Sequence, residues 1–425
     1  MKIVDYDLDI QREPFAKPFA FKGSAFHEKW NLVVRLQGDD GGQAFGVGGL
    51  AALWSDSEVF AAHSEIGGNA LMVAILERAL ACSRDREFTA PPELLAAILP
   101  EVQDYAGAVT GRGSKLLRTF TLNACVALDL AAWTLWSRRC GVDDFDGLVP
   151  DAVRPALAHR QQDIALVPAV AYNTPPQRVE EILAEGAAIL KVKIGHPGNR
   201  DEMISGDCAG LRRISELIVG AKTPFTKSGE VGLYLDANGR FRDLEAVNQV
   251  LDAAGDAGLL ERTLLLEEPF AADVHAVVGD LPVPVAADES LHDPAEVKDR
   301  QGLGYSAVAI KPAGKTLSIA FDMIAEVHRC GLAAFVADNA CVPWLVEWNK
   351  AVAARLPAFP GVRGGMMESN GPENYGSWSR MLTEHPCAGA SWLRAERGAF
   401  RLDDDYYDRS GGIFLDPQPY CQLLR

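Results

Sequence analysis

The sequence predicts an α/β protein, a (β/α)8 TIM-like barrel with an N-terminal α+β capping domain that is completed by the C-terminal segment. Three observations predict it. From about residue 164, short apolar runs alternate with helical patterns, as βα units around a parallel sheet require. Residues 2–42 instead mix strand-like runs with turns and lead into helical stretches. After the last βα unit, two short strand-like runs at 400–403 and 412–415 need a sheet to join, and the expectation is that they return to the N-terminal domain.

Eight barrel runs can be counted, at 166–172, 189–194, 231–236, 263–267, 283–287, 307–311, 332–337 and 362–367. Eight strands with intervening helices favour a closed barrel over an open sheet. After the first run, Thr174-Pro175-Pro176-Gln177 reads as a capping box with proline at the first helical position. Residues 243–257, 317–330 and 342–356 repeat apolar side chains every 3.6 residues where crossover helices are needed. In the N-terminal part, 66–82, 92–101 and 120–138 look helical. The boundaries that follow are 1–140 for the capping domain, 141–385 for the barrel and 386–425 for the returning segment. The second βα connection, 196–232, is long, with a helix near 209–220 and a polar stretch at 223–229.

At 425 residues, a barrel of about 250 residues leaves room for a second domain. A net charge of −17 disfavours nucleic acid and acidic membranes as partners, because binding to either begins with a basic patch. No run approaches 18 apolar residues, and the first 17 residues lack the pattern of a signal peptide, so a cytoplasmic location is expected. The eight cysteines contain no C-x-x-C pair and are expected to be reduced. A homo-oligomer is expected.

The chemistry starts at Lys191-Val192-Lys193. A period of two puts both lysines on one face of strand two, while Leu190, Val192 and Ile194 point toward the helices. The lysines therefore face the barrel interior, where a buried ammonium is costly unless paired. Acidic residues fall at the C-terminal ends of the next three strands: Asp236, Glu267 and Asp288. Active sites of these barrels sit at that end. A single such Asp could be a helix N-cap, but three converging carboxylates call for a hard divalent cation, and all-oxygen ligation favours Mg²⁺. Asn238 and Glu268 stand beside them as hydrogen-bonding support or as loop caps. Strand six ends in Ile310-Lys311-Pro312, which puts a third lysine at the same rim, across the barrel from strand two. The eight histidines include no H-x-H or H-E-x-x-H, which argues against a zinc hydrolase.

In this order, Lys191-Val192-Lys193, Asp236-Ala237-Asn238-Gly239, Glu267-Glu268-Pro269, Ala287-Asp288-Glu289-Ser290 and Ile310-Lys311-Pro312 resemble the enolase superfamily, and within it the muconate lactonizing enzyme subgroup of the mandelate racemase/muconate lactonizing enzyme family. The resemblance implies that Asp236, Glu267 and Asp288 bind one Mg²⁺, that Lys193 and Lys311 are the acid/base pair, and that Lys191 neighbours the substrate carboxylate. The metal and Lys191 would then stabilise the enolate formed when the α-proton leaves. The lysines would have pKa values pushed down by burial and by cationic neighbours. The reaction implied is racemisation or epimerisation of a small-molecule carboxylate, with a β-eliminating lyase or a cycloisomerase as alternatives. A degenerate barrel serving as a binding module would have lost a ligand or a base, and none is lost here.

Strand seven ends in Ala337-Asp338-Asn339, without the histidine of the mandelate racemase subgroup. Strand eight ends in Met367-Glu368-Ser369-Asn370, without the D-x-D with which dipeptide epimerases hold an ammonium group. Lys311 is followed by Pro312-Ala313-Gly314-Lys315 rather than the usual glycine pair. The family's lid over the barrel mouth points to Phe19, Phe21, Phe26, His27 and Trp54 as substrate contacts, with Asp338, Asn339 and Glu368 from the barrel. Trp344 and Trp348, four apart on a helix, read as packing residues.

Overall fold

A computed structural model describes residues 1–21, 24–271 and 273–424. The capping domain is a three-stranded antiparallel sheet, β1 (Ile3–Phe21), β2 (Ser24–Gly38) and β3 (Gln43–Gly49), in that order. The helices Ser57–Ser83 and Pro91–Val109 bury Met72, Ile75, Leu76, Leu94 and Ile98 in the core that this sheet covers. The first of them is long and apolar enough by composition to cross a membrane, and it is kinked at Ser64, whose φ is 64°. The helix Val126–Cys140 lies directly on β3 because Gly46 carries no side chain. A Cβ there would stand 2.1 Å from the Ala127 carbonyl oxygen.

The second sheet contains β4 (Asp163–Leu166), β5 (Ala169–Val170), β6 (Ile189–Lys193), β7 (Gly232–Asp236), β8 (Thr263–Glu267), β9 (Val285–Ala287), β10 (Ala307–Ile310), β11 (Ala333–Val336), β12 (Gly365–Met367) and β13 (Ala399–Arg401). From β4 through β12 every pairing is parallel, in the sequential order of βα units. β4 pairs with β12 and β5 with β6, yet β4 and β5 are one stretch of chain. Val167 N donates to Met367 O on one side, and Pro168 O accepts from Lys191 N on the other. The first strand thus bends at Pro168, which has no N–H to lose, and the sheet closes on itself as an eight-stranded barrel. Its interior is filled by Ile189, Tyr234, Leu265, Ala307, Phe335 and Met366, while Leu190, Val192 and Leu235 face the helices.

Four sequence expectations change. The strand at 400–403 does not reach the capping sheet: β13 pairs antiparallel with β4 and extends the barrel sheet. The strand expected at 412–415 is a 3₁₀ turn, Ser410–Gly412, followed by irregular chain, and it is the final segment 418–424 that touches β1 and β2. The capping box at Thr174 does not form, because Thr174 Oγ1 already accepts from Ala171 N at 2.9 Å and leaves Pro175 as the N-cap of Pro176–Ala184. The long second connection holds a helix that starts earlier than expected, Arg200–Leu217. Its polar stretch turns Phe225 into the barrel interior, and Lys227 N and Phe225 O bond to Gly361 O and Arg363 N. This segment closes the N-terminal end of the barrel.

Candidate active site

Register places the chemistry at one level. Lys193 lies beside Asp236, and Asp236 beside Glu267, because β6, β7 and β8 pair at those positions. Asp288 and Lys311 follow one residue beyond β9 and β10, and Glu368 one residue beyond β12. All six side chains continue the inward-facing rows of their strands. A cavity at this mouth, with about 70 Å³ of free space, is lined by Lys191, Lys193, Asp236, Asn238, Asp288, Glu289, Lys311, Asp338, Asn339 and Glu368 from the barrel. From the capping domain come Phe19, Phe26, Ala51 and Trp54. Glu267 lies below them, fully buried.

Each cation has a carboxylate. Lys191 Nζ stands 2.8 Å from Asp236 Oδ2 and 2.7 Å from Glu267 Oε2, and it bonds Glu368 Oε1. Lys193 bonds Asp236 and donates to Asn238 Oδ1 at 2.8 Å. Lys311 bonds Asp288 Oδ2. Burial would raise the Asp236 carboxyl, but Lys191 and Lys193 hold it well below the usual range. Glu267 goes the other way, pushed up by burial and by the neighbouring Asp236 charge. Lys191 and Lys311 also depart from expectation. Burial pulls both down, yet the carboxylates around them outweigh it and hold both ammonium groups above their ordinary value. The downward shift expected from the sequence requires those carboxylates to be engaged by something else.

Asn238 and Glu268 take positive φ, 46° and 41°, at the first turns beyond β7 and β8. That geometry lets Asn238 Nδ2 reach Glu289 Oε1 at 2.9 Å, and Glu268 Oε2 accept from Asp288 N at 2.8 Å. Burial pushes the Glu268 carboxyl up to about 7. Both residues brace the carboxylates.

The donor set suits a hard cation. Glu267 Oε1 and Asp288 Oδ1 are shielded from solvent without a hydrogen-bond partner, and all the candidate donors are carboxylate oxygens. Among the described residues, however, no three acidic, His or Cys side chains converge tightly enough to form a ready-made ion cage, because the Lys191 ammonium stands among them.

Of the lid residues, Phe19, Phe26 and Trp54 line the cavity. Phe26 packs edge-on against Phe15 at 5.4 Å, and Phe15 against Tyr375 at 5.1 Å, which seats the hairpin on the loop after β12. Trp54 lays its ring 4.4 Å from Lys311 Nζ. His27 does not line the cavity. Its backbone N–H and ring are taken by Glu65, on the outer side of the hairpin. The side chain of Phe21 lies outside the described residues. Asp338 is consumed internally, with Oδ1 accepting from Asn339 N and Cys341 N and Oδ2 from Asn370 N. Trp344 and Trp348 pack edge to face, buried as expected.

No family model matches the sequence, and no curated protein matches it. Solved structures do. The chain is similar to the L-Ala-D/L-Glu epimerase of Bacillus subtilis, with TM-score 0.64, 18% identity and coverage of 88% of this chain and 92% of that one. It is similar to a dipeptide epimerase of Enterococcus faecalis, solved with Mg and a dipeptide, with TM-score 0.65, 14% identity and coverage of 95% and 98%. A third is the 2-chloromuconate cycloisomerase of Rhodococcus opacus, with TM-score 0.62, 18% identity and 94% of each chain covered. These neighbours belong to the enolase superfamily and its mandelate racemase/muconate lactonizing enzyme family. This chain has the enolase-superfamily fold. Two buried lysines that sequence reasoning missed stand against residues of the candidate site. Lys315 is buried and donates at 2.9 Å to the Asp288 and Leu291 carbonyls, so the altered spacing after Lys311 was the available signal. Lys29, on β2, is buried and bonds the carbonyl of Asn339, a contact between residues 310 apart that no local pattern announces.

Proposed function

We propose that this protein is an isomerase that removes and returns the α-proton of a carboxylate substrate, most simply as a racemase or epimerase. The observation that carries the reading is that Lys193 and Lys311 line one cavity from β6 and β10, which are four strands apart in an eight-stranded barrel and so face each other across it. A substrate between them presents one face of its α-carbon to each. Asp236, Glu267 and Asp288 would hold one Mg²⁺. When bound, such a cation offsets negative charge on the substrate carboxylate as the α-proton leaves.

The chain's own residues do the rest. Lys191, freed from its carboxylates, turns its ammonium toward the substrate carboxylate and adds to that charge compensation. Lys193 or Lys311 takes the proton on its own face, and the other lysine, already protonated, delivers one to the opposite face. Withdrawing Asp288 from Lys311 lowers that lysine's affinity for protons, which a base needs. Phe19, Phe26 and Trp54 roof the cavity and exclude water.

The test is α-proton exchange in D₂O across a library of carboxylic acids supplied with Mg²⁺. Lys193→Ala should stop exchange from one stereoisomer and spare some from the other, and Lys311→Ala should show the reverse. Each loss should reach about 10²–10⁴-fold, the size of a general-base contribution. A lyase would give one abstracting lysine and no mirrored pattern. Near-normal turnover in both variants would overturn the two-base reading.

A further inference from the structure

Lys193 is the last residue of β6, and the sheet supports the chain beyond it on one side only. Toward β7, Ile194 N still donates to Asp236 O at 2.9 Å. Toward β5 the ladder stops at the pair Val170 and Val192, so Lys193, Ile194 and Gly195 have no strand beside them there. Two side chains take its place. Tyr172, just past β5, donates its hydroxyl to Ile194 O at 2.7 Å, with Gly195 O at 3.1 Å. Asp207, on the helix Arg200–Leu217, accepts from Gly195 N at 2.7 Å on Oδ2 and from His196 N at 2.9 Å on Oδ1. This carboxylate does not serve its own helix, whose N-terminus is capped by Asn199. It is buried, and a carboxylate held there by backbone N–H groups alone is costly. Burial raises it to about 6, and the bonds from Gly195 and His196 oppose that rise. Gly206 lets the loop come this close, since a Cβ there would stand 2.6 Å from His196 Cγ. Behind the loop lies a cavity with about 210 Å³ of free space, lined by Tyr172, Lys193, Ile194, His196 and Gly210, so packing alone does not keep the segment forward.

We propose that Asp207, with Tyr172 as its counterpart, is a positioning residue that clamps the end of β6 from outside the barrel and so fixes where the Lys193 ammonium stands at the mouth. This rests on the proposed role of Lys193 as one of two bases. The other base is braced separately. Beyond Lys311, Ala313 N donates to Asn349 Oδ1 at 3.0 Å, and Gly314 O accepts from Asn123 Nδ2 at 3.2 Å. Loosening the Asp207 clamp therefore displaces one lysine and leaves the other in place, which a general weakening of the fold would not do.

The experiment compares the wild type with Asp207→Asn, which keeps the size and one acceptor, and Tyr172→Phe, which keeps the ring and drops the hydroxyl. Lysines are labelled with acetic anhydride and read by peptide mass spectrometry, and amide hydrogen exchange is followed in parallel. In both variants the amides of Gly195 and His196 should exchange faster, and labelling of Lys193 should rise relative to Lys191 and Lys311. In D₂O with Mg²⁺, both enantiomers of a library acid that the wild type exchanges are then compared. Exchange from the enantiomer that Lys193→Ala loses should fall by up to about 10²-fold, the cost of misplacing a reacting group by about 1 Å, while exchange from the other holds. An unchanged ratio of Lys193 to Lys311 labelling in both variants, a rise of all three lysines together, or equal loss of exchange from both enantiomers would overturn the positioning role while leaving the α-proton chemistry standing. A raised ratio, with no acid exchanged by the wild type, would support the clamp and overturn the chemistry. An unchanged ratio together with no exchange would overturn both.

Discussion

Replacing Lys191 by methionine tests how the charges at the barrel mouth are balanced. The ammonium lies 2.7 Å from Glu267 and 2.8 Å from Asp236, also bonds Glu368, and is only 6% exposed. Methionine keeps most of the volume and none of the charge. Asp236 retains Lys193, whereas Glu267 and Glu368 lose the ammonium that offsets them. Removing one partner from a buried ion pair costs about 3–5 kcal/mol, because the charge left behind is desolvated and uncompensated. Urea unfolding followed by circular dichroism in EDTA should therefore show Lys191→Met destabilised by that amount. Adding Mg²⁺ should recover more stability in the variant than in the wild type, since the competing ammonium is gone. A cation at one hundred times its dissociation constant returns about 2.7 kcal/mol. If the variant unfolds at the wild-type urea concentration in EDTA, the three carboxylates do not depend on Lys191, and the charge argument for both lysine and metal fails.

Three further outcomes are expected. Asp236→Asn, Glu267→Gln and Asp288→Asn should each weaken Mg²⁺ binding in calorimetry and abolish turnover with the circular dichroism spectrum unchanged; Mg²⁺ affinity equal to wild type in all three would remove the metal assignment. Phe26→Ala should raise KM without changing Mg²⁺ affinity, because the candidate ligands sit on barrel strands; wild-type kinetics would make the ring a packing residue only. Asp129 joins the two domains, accepting from Leu317 N, Ser318 N and Ser318 Oγ at the start of the helix Leu317–Arg329, so Asp129→Ala should cost about 1–3 kcal/mol for each donor left dry. Burial raises its carboxyl to about 6, above the unfolded value, so the folded state holds the proton more tightly. The stability this lends is complete below about pH 4 and is lost as pH rises through 6. Asp129→Asn should remove that slope, and a stability difference between wild type and variant that stays flat from pH 4 to 7 would refute it.

The rim of the candidate site was readable because period two is strict. Once Leu190 and Val192 are assigned to the helix side, Lys191 and Lys193 can only face inward, and the same parity carries Asp236, Glu267, Asp288 and Lys311 to one level. Long-range partnerships were not readable. Nothing near Lys29 indicates that it reaches the loop after β11, and nothing near residue 400 indicates whether a short strand will find the capping sheet or β4. The pKa direction of Lys311 was also missed, since burial was legible in the sequence but its pairing with Asp288 was not. Thr174 failed as a cap for a local reason, competition from Ala171 N within the same turn.

The segment that carries Phe225 beneath the barrel has a consequence for traffic. With that end stoppered by hydrogen bonds to Gly361 and Arg363, the candidate site lies at the opposite end, under Phe19 and Phe26. If the β1–β2 hairpin has to lift for passage, its opening rate caps turnover in the proposed reaction. Thickening the solvent would slow such a gate and leave proton transfer within the closed cavity untouched, so a viscosity dependence of kcat reads directly on the hairpin.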